Sequence, residues 1–197
     1  MFYIQSGATH LRVCREAETV KQIAVRFLMG AALLALTAVP AAAQIEGSIG
    51  YARQCWNGCA ANGLGIDFSA PVRTTDSTAL SIIGDLGWTR FQFDGETEET
   101  DTTIVGGVRY KFLRNRRVNL FVQGTAGVVH WKEAEIFGGL SGNDLLVGGG
   151  GGVQFVLTDM IDAKVQVDLW GTKDSDFEDW DLINRVFVAV VFKLGPR

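Results

Sequence analysis

The chain has 197 residues, the length of one domain rather than several. A net charge of −4 removes nucleic acid as an expected partner, and a hydrophobic content of 47% is ordinary for a globular protein. With 24 glycines, 3 prolines and many short apolar segments, the composition favours an all-β chain over a helical one.

The first recognisable element is a leader. The stretch KQIAVRFLMGAALLALTAVPAAAQ has a basic start (Lys21, Arg26), an apolar run from Phe27 to about Val39 and the small residues Ala41-Ala42-Ala43. That is the anatomy of a secretory signal peptide cleaved after Ala43. The apolar run is shorter than the roughly 20 residues a spanning helix needs. A signal should open its chain, so residues 1–19, with Cys14, read as a mis-called extension. The expected start then lies near Val20, residues 20–43 form the signal, and residues 44–197 carry the fold. Secretion puts Cys55 and Cys59 in an oxidising compartment, where they are candidate disulfide partners.

Beyond the leader no helical period stands out, and strict alternation recurs. In QIEGSIGYA, Ile45, Ile49 and Tyr51 lie opposite Glu46 and Ser48. In GLGIDFSA, Leu64, Ile66, Phe68 and Ala70 oppose Asp67 and Ser69. TIVGGVRYKF sets Ile104, Val108, Tyr110 and Phe112 against Arg109 and Lys111. In AKVQVDLW, Ala163, Val165, Val167 and Leu169 oppose Lys164, Gln166, Asp168 and Trp170. RVFVAVVFKL puts Val186, Val188, Val190, Phe192 and Leu194 opposite Arg185 and Lys193. Eight segments result: 44–53, 62–70, 77–91, 102–113, 117–131, 144–158, 162–173 and 181–194. Short connections (PVRTTD, LRNRR, TDMID) alternate with long or polar ones (QCWNGCAA, FDGETEETD, KEAEIFGGLSGN, TKDSDFEDWD). Long loops at one end and short turns at the other describe an up-and-down barrel.

Two barrels fit: a soluble lipocalin-like one with apolar residues inside, and a membrane barrel with apolar residues outside. Charges of both signs sit in mid-strand on the polar faces: Glu46, Asp67, Asp85, Arg109, Lys164, Asp168 and Arg185. Opposite charges neutralise one another in a narrow lumen. Phe68, Tyr110, Phe112, Phe155 and Phe192 mark the short-turn end of the apolar faces, and Tyr51 and Trp88 the long-loop end. Paired aromatic belts belong at membrane interfaces. Trp131 and Trp170 fall on the polar face, which leaves the second girdle incomplete. A signal peptide, eight alternating strands and a closing strand RVFVAVVFKL with its near-terminal aromatic resemble the small eight-stranded outer-membrane barrels, the OmpA-like transmembrane-domain group. Members typically end on that aromatic; here Lys193-Leu194-Gly195-Pro196-Arg197 follow. The resemblance implies an all-β, eight-stranded antiparallel up-and-down transmembrane β-barrel, preceded by a signal peptide. It implies the outer membrane of a Gram-negative bacterium with long loops outside. The expected protein is a monomer without a cofactor, and with no periplasmic domain read after the barrel a peptidoglycan anchor is not implied. The partners implied are outer-membrane lipid, lipopolysaccharide and the assembly machinery.

Five features remain. The run Gly148–Gly152 in VGGGGGVQFVL lacks the Lys-Ser/Thr of a phosphate loop, and alternation continues on both sides, so it reads as ordered strand. Gly148, Gly150 and Gly152 are expected to face the lumen and admit a long partner such as Arg109 or Arg185. Outward Gly149 and Gly151, with Gly106, Gly124 and Ala126, form a smooth patch, a candidate contact for a lipid chain or protein surface. In CWNGC, Asn57-Gly58 is a hairpin signal; a two-residue turn pairs Tyr51 with Leu64 and leaves the cysteines diagonal, so a disulfide needs a bulge there. The acidic loops (Asp94, Glu96, Glu98, Glu99, Asp101; Asp174, Asp176, Glu178, Asp179, Asp181) lack calcium-loop spacing and read as solvated. His130 is followed by Trp131-Lys132 and so lacks the His-x-Ser of lipid A deacylases. An eight-stranded barrel has room inside for side chains only, so the expected role is structural or adhesive. A narrow porin-like or lipid- and solute-handling barrel is the second reading, and a lipid-modifying enzyme the third.

Overall fold

In the computed structural model, residues 44–56, 59–93, 96–112, 117–134, 139–173 and 180–194 are described, except for the side chains of residues 59, 93 and 96–98. The expected extension (1–19), the signal peptide (20–43), the Asn57-Gly58 turn and the acidic loop residues Asp94, Asp174, Asp176, Glu178 and Asp179 lie outside the described residues. The strands are β1 (Ile45–Trp56), β2 (Cys59–Thr74), β3 (Ala79–Phe93), β4 (Glu96–Phe112), β5 (Val118–Glu133), β6 (Ser141–Val156), β7 (Ile161–Lys173) and β8 (Trp180–Leu194). Each pairs antiparallel with the next, and β8 returns to β1, closing the barrel.

Several strands run further than alternation alone indicates. β1 reaches Trp56, β2 begins at Cys59 and β4 at Glu96, inside segments expected to be loops. Hairpin partners keep the backbone paired there although the side chains are polar or small, since ladder hydrogen bonds do not depend on side-chain polarity. Pro71 sits inside β2 beside a register shift between Pro71 and Arg73. Such an irregularity suits a residue with no N–H for the ladder.

The barrel is inverted relative to a soluble protein. Outward residues are apolar and exposed: Leu64 is 55% exposed, Ile104 53% and Val188 48%. Inward neighbours on the same strands, Asp67, Thr103 and Phe187, are buried. A closed sheet with an apolar outside and a charged inside satisfies its backbone internally and meets hydrocarbon, not water. That polarity excludes the lipocalin-like arrangement. Among the described residues no helix is long and apolar enough to cross a membrane; the crossing is made by strands.

Candidate functional site: the lumen and the rim

Alternation delivers one side chain in two to the lumen, and the inward set falls into two zones. Toward the long-loop end, where β1 finishes and β8 begins, Val105, Val129, Leu146, Trp170 and Ile183 pack together, with Trp56 against them. Trp170 and Leu146 are fully buried. Trp170 is therefore part of an apolar stopper inside the barrel, not a member of an outer girdle. Its indole Nε1 donates to Thr125 Oγ1 at 3.1 Å.

Below this stopper lies the charge network. Asp67 accepts from Arg109 Nη2 at 2.7 Å and pairs with Lys164. Arg185 binds Asp85 through two nitrogens, at 2.7 and 2.6 Å, and Asp168 through Nε and Nη2 at 3.0 and 2.8 Å. Glu46 pairs with Lys111. All seven charges singled out in the sequence thus stand inside the barrel in direct contact with an opposite charge. Asp67 and Asp85 face one another across β2 and β3; separate cations, Arg109 with Lys164 and Arg185, keep the two carboxylates from confronting each other unscreened. Buried ions need such multiple partners, because desolvation otherwise outweighs attraction.

Further members extend the network. Lys111 also donates to Gln154 Oε1 at 2.9 Å, and Lys193 pairs with Asp162 at 2.6 Å. Gln123 links Arg109 to Asp168: it accepts from Nε at 2.8 Å and donates to Oδ1 at 2.8 Å. Gln166 donates to Asp168 at 2.8 Å. The parity of each residue points inward, but parity alone does not distinguish a network amide from a filler. Aromatic rings line the cations: Arg109 lies 4.7 Å from Phe121, Lys164 4.7 Å from Phe187 and Arg185 4.5 Å from Trp170.

The glycine run occupies mid-β6, and its inward members make room as expected, though for other partners. A Cβ on Gly148 would sit 2.8 Å from Trp170 Cδ1, on Gly150 2.2 Å from Asp168 Oδ1, and on Gly152 2.6 Å from Phe121 Cζ. The space is taken by the backbone carbonyl oxygens of Leu169, Val167 and Val165 on β7 together with the side chains of Trp170, Asp168 and Phe121, which in turn hold Arg185 and Arg109. The arginines reach the run through these intermediaries because they lie on non-neighbouring strands. The outward set is contiguous by register: Gly106 pairs with Ala126, Gly124 with Gly149, and Gly151 with Val122. Added Cβ atoms would meet Gln123 O at 2.8 Å from Gly149 and Phe121 O at 3.0 Å from Gly151, but nothing within 4 Å of Gly124. Backbone crowding thus accounts for Gly149 and Gly151.

At the rim, Trp56 pairs with Cys59 and Cys55 with Ala60. The cysteines are diagonal, no register shift intervenes between β1 and β2, and Cys55 is a free thiol. The register that keeps Tyr51 opposite Leu64 does not set the two positions side by side, and the expected Cys55–Cys59 bond involves the side chain of Cys59, which lies outside the described residues. His130 is exposed on the outer surface, with Nδ1 3.0 Å from Asn143 Oδ1. Among the described residues no cluster of His, Cys, Asp and Glu fits a metal ion.

No protein-family model matches the chain, and no curated protein sequence does. Solved structures do. Neisserial surface protein A superposes with a TM-score of 0.58 at 15% identity, over 78% of this chain and 97% of that one. Ail, the attachment invasion locus protein of Yersinia pestis, gives 0.50 at 15% identity, over 77% and 99%. Ail in complex with the heparin analogue sucrose octasulfate gives 0.52 at 19% identity, over 77% and 99%. Closed eight-strand pairing, an apolar exterior and these likenesses together give the chain the fold of the small eight-stranded outer-membrane β-barrels.

Proposed function

We propose that the protein is a non-conducting, non-catalytic barrel that acts through its outer surface and long-loop rim, in a structural or surface-interaction role. The observation that supports this reading is the filled lumen: an apolar stopper around Trp170 above a charge network whose members Asp67, Asp85, Arg109, Lys164, Asp168 and Arg185 are at most 3% exposed. A solute would have to break several desolvated ion pairs to pass, at several kcal/mol each. His130 points the same way: its side-chain partner is the amide of Asn143, neither a nucleophile nor an orienting carboxylate. By analogy, Ail, named for attachment and invasion, shares the fold.

Planar-bilayer recording of the refolded barrel, beside an open porin as control, tests the reading. No unitary steps are expected. Steady, reproducible openings would replace it with the narrow-channel alternative.

A further inference from the structure

The lumen is charge-balanced below the stopper and acidic at its mouth. Below, Glu46, Asp67, Asp85, Asp162 and Asp168 stand in ion pairs with Arg109, Lys111, Lys164, Arg185 and Lys193. At the long-loop end the inward carboxyls are Glu99 and Asp101 on β4, Glu133 on β5 and Asp144 on β6. The cations of that end, Arg53, Arg90, Lys132 and Lys173, alternate with inward residues and lie exposed on the outer face.

The mouth also holds polar atoms that the fold leaves bare. Among the described residues, Thr89 Oγ1, Asp101 Oδ1, Thr172 Oγ1 and the indole Nε1 of Trp56 are buried without a hydrogen-bond partner. Thr89 and Asp101 are each 2% exposed and Thr172 4%. Buried polar atoms have partners as a rule, so a cluster of bare ones marks a place that something else completes. Asp101 is at its centre. It pairs in register with Thr89 on one side and Trp131 on the other. Its Oδ2 accepts from Gln54 Nε2 at 3.1 Å across the mouth, which leaves Oδ1 and Thr89 Oγ1 as neighbouring acceptors. Trp131 is half-buried and lies against Gly142, where a Cβ would sit 2.5 Å from the ring. Phe91, the next inward residue above Thr89, adds a second ring. Glu99, Trp131 and Glu133 keep part of their surface in solvent, so the mouth is reached from the long-loop end.

We propose that the mouth of the barrel binds a primary ammonium group, with Asp101 Oδ1 and Thr89 Oγ1 accepting its N–H donors and the Trp131 ring beside it. The spread of the acceptors selects this chemistry. A metal ion needs donors converging on one point, and among the described residues no group of His, Cys, Asp and Glu does so. An ammonium distributes three donors over separate acceptors, and aromatic faces attract it. The last outward apolar residue of β4 toward the long loops is Ile104, so Asp101 lies past the apolar belt. There burial, and after it the adjoining Glu99 carboxyl, push Asp101 up to about 8. Glu133 on β5 and Asp144 on β6 add like charge, while Gln54 on β1 and Thr89 and Phe91 on β3 are neutral. An arriving cation therefore displaces a proton at neutral pH. The inference concerns the space above the stopper, so the conductance result leaves it untouched.

The test is calorimetric titration, at neutral pH, of the refolded barrel in phosphatidylcholine nanodiscs. The ligands are putrescine and the blocked peptide N-acetyl-glycyl-lysyl-glycinamide, each in two buffers of different ionisation heat. Binding with release of about one proton is expected, and butanediol, the neutral counterpart of the diamine, should not bind. Asp101→Asn should weaken binding at least about tenfold and abolish the proton release. Thr89→Val should weaken it about fivefold and Trp131→Leu about threefold. Asp76→Asn, at an exposed carboxyl of the short-turn end, should stay within about twofold. Folding of each variant is checked by its shift in gel migration on boiling. Should Asp101→Asn not fold, Thr89→Val carries the test. Binding of the peptide alone assigns a lysine side chain of a partner as the guest, and binding of the diamine a free amine; either upholds the proposal. Failure of both amines to bind, unchanged binding by folded Asp101→Asn, or displacement of the amine by equimolar magnesium would overturn it.

Discussion

Arg185 and Asp85, 100 residues apart, meet across the lumen in a two-pronged pair, with Nη1 to Oδ1 at 2.7 Å and Nη2 to Oδ2 at 2.6 Å. The pair joins β8 to β3, strands that are not neighbours, and Asp168 on β7 accepts from the same guanidinium. It is a cross-strut of the barrel, and one residue holds two carboxylates.

Removing that residue should therefore cost more than a surface change. Arg185→Met leaves Asp85 and Asp168 buried without their cation, and a loss of about 3–5 kcal/mol is expected. Urea unfolding of the barrel in lipid vesicles, followed by tryptophan fluorescence, measures it. Adding Asp85→Leu and Asp168→Leu to Arg185→Met should recover much of the loss, because no unpaired charge remains. An unchanged midpoint for the single variant would mean that the strut carries no stability.

The glycines of β5 and β6 separate two causes of small-residue use. Gly150→Ala sets a methyl 2.2 Å from Asp168 Oδ1 and 2.4 Å from Val167 O, and should destabilise by about 1–3 kcal/mol through overpacking. Gly124→Ala meets nothing within 4 Å and should be neutral or stabilising by about 0.5–1 kcal/mol, the usual cost of glycine in a strand. The same unfolding assay reads both, and an equal effect at the two sites would remove the close-approach explanation. Leucine at Gly149 or Gly151 reports on backbone crowding as well as on any outside contact, so Gly124 is the cleaner probe of the outer patch.

Depth along the lipid face makes a third prediction. Val188→Arg places a charge in mid-belt and should cost about 2–4 kcal/mol, whereas Asn184→Arg, at the outer boundary, should cost about 0–1 kcal/mol. Equal costs would say that the two positions share one environment.

Much of this molecule is legible as alternation. Period two assigns Asp67 and Asp168 to one face and Val165 and Val188 to the other, and the mixed signs on the polar face call for a lumen. Partner choice is not legible in that way. Arg185 meets Asp85 through barrel curvature, and nothing local in either segment marks the pair. Lys111 shares its parity with Arg109 two residues away, yet only the closed barrel brings it to Glu46. Trp170 looked displaced from an aromatic girdle because inward parity is shared by plugs and polar faces alike. Strand ends in CWNGC and ETEETD carry the signature of loop because polarity changes there while backbone pairing does not.

The central claim is that the apolar face meets lipid while the chain turns its charge inward. Nitroxide labels at outward Asn184, Val186, Val188 and Val190, one at a time in a background with Cys55→Ser and Cys59→Ser, test it in lipid vesicles by relaxation with oxygen and with a water-soluble nickel chelate. The account predicts high oxygen and low nickel access at Val186, Val188 and Val190, with nickel access rising at Asn184. Nickel access at Val188 as high as at Asn184 would place that face in water and contradict the account.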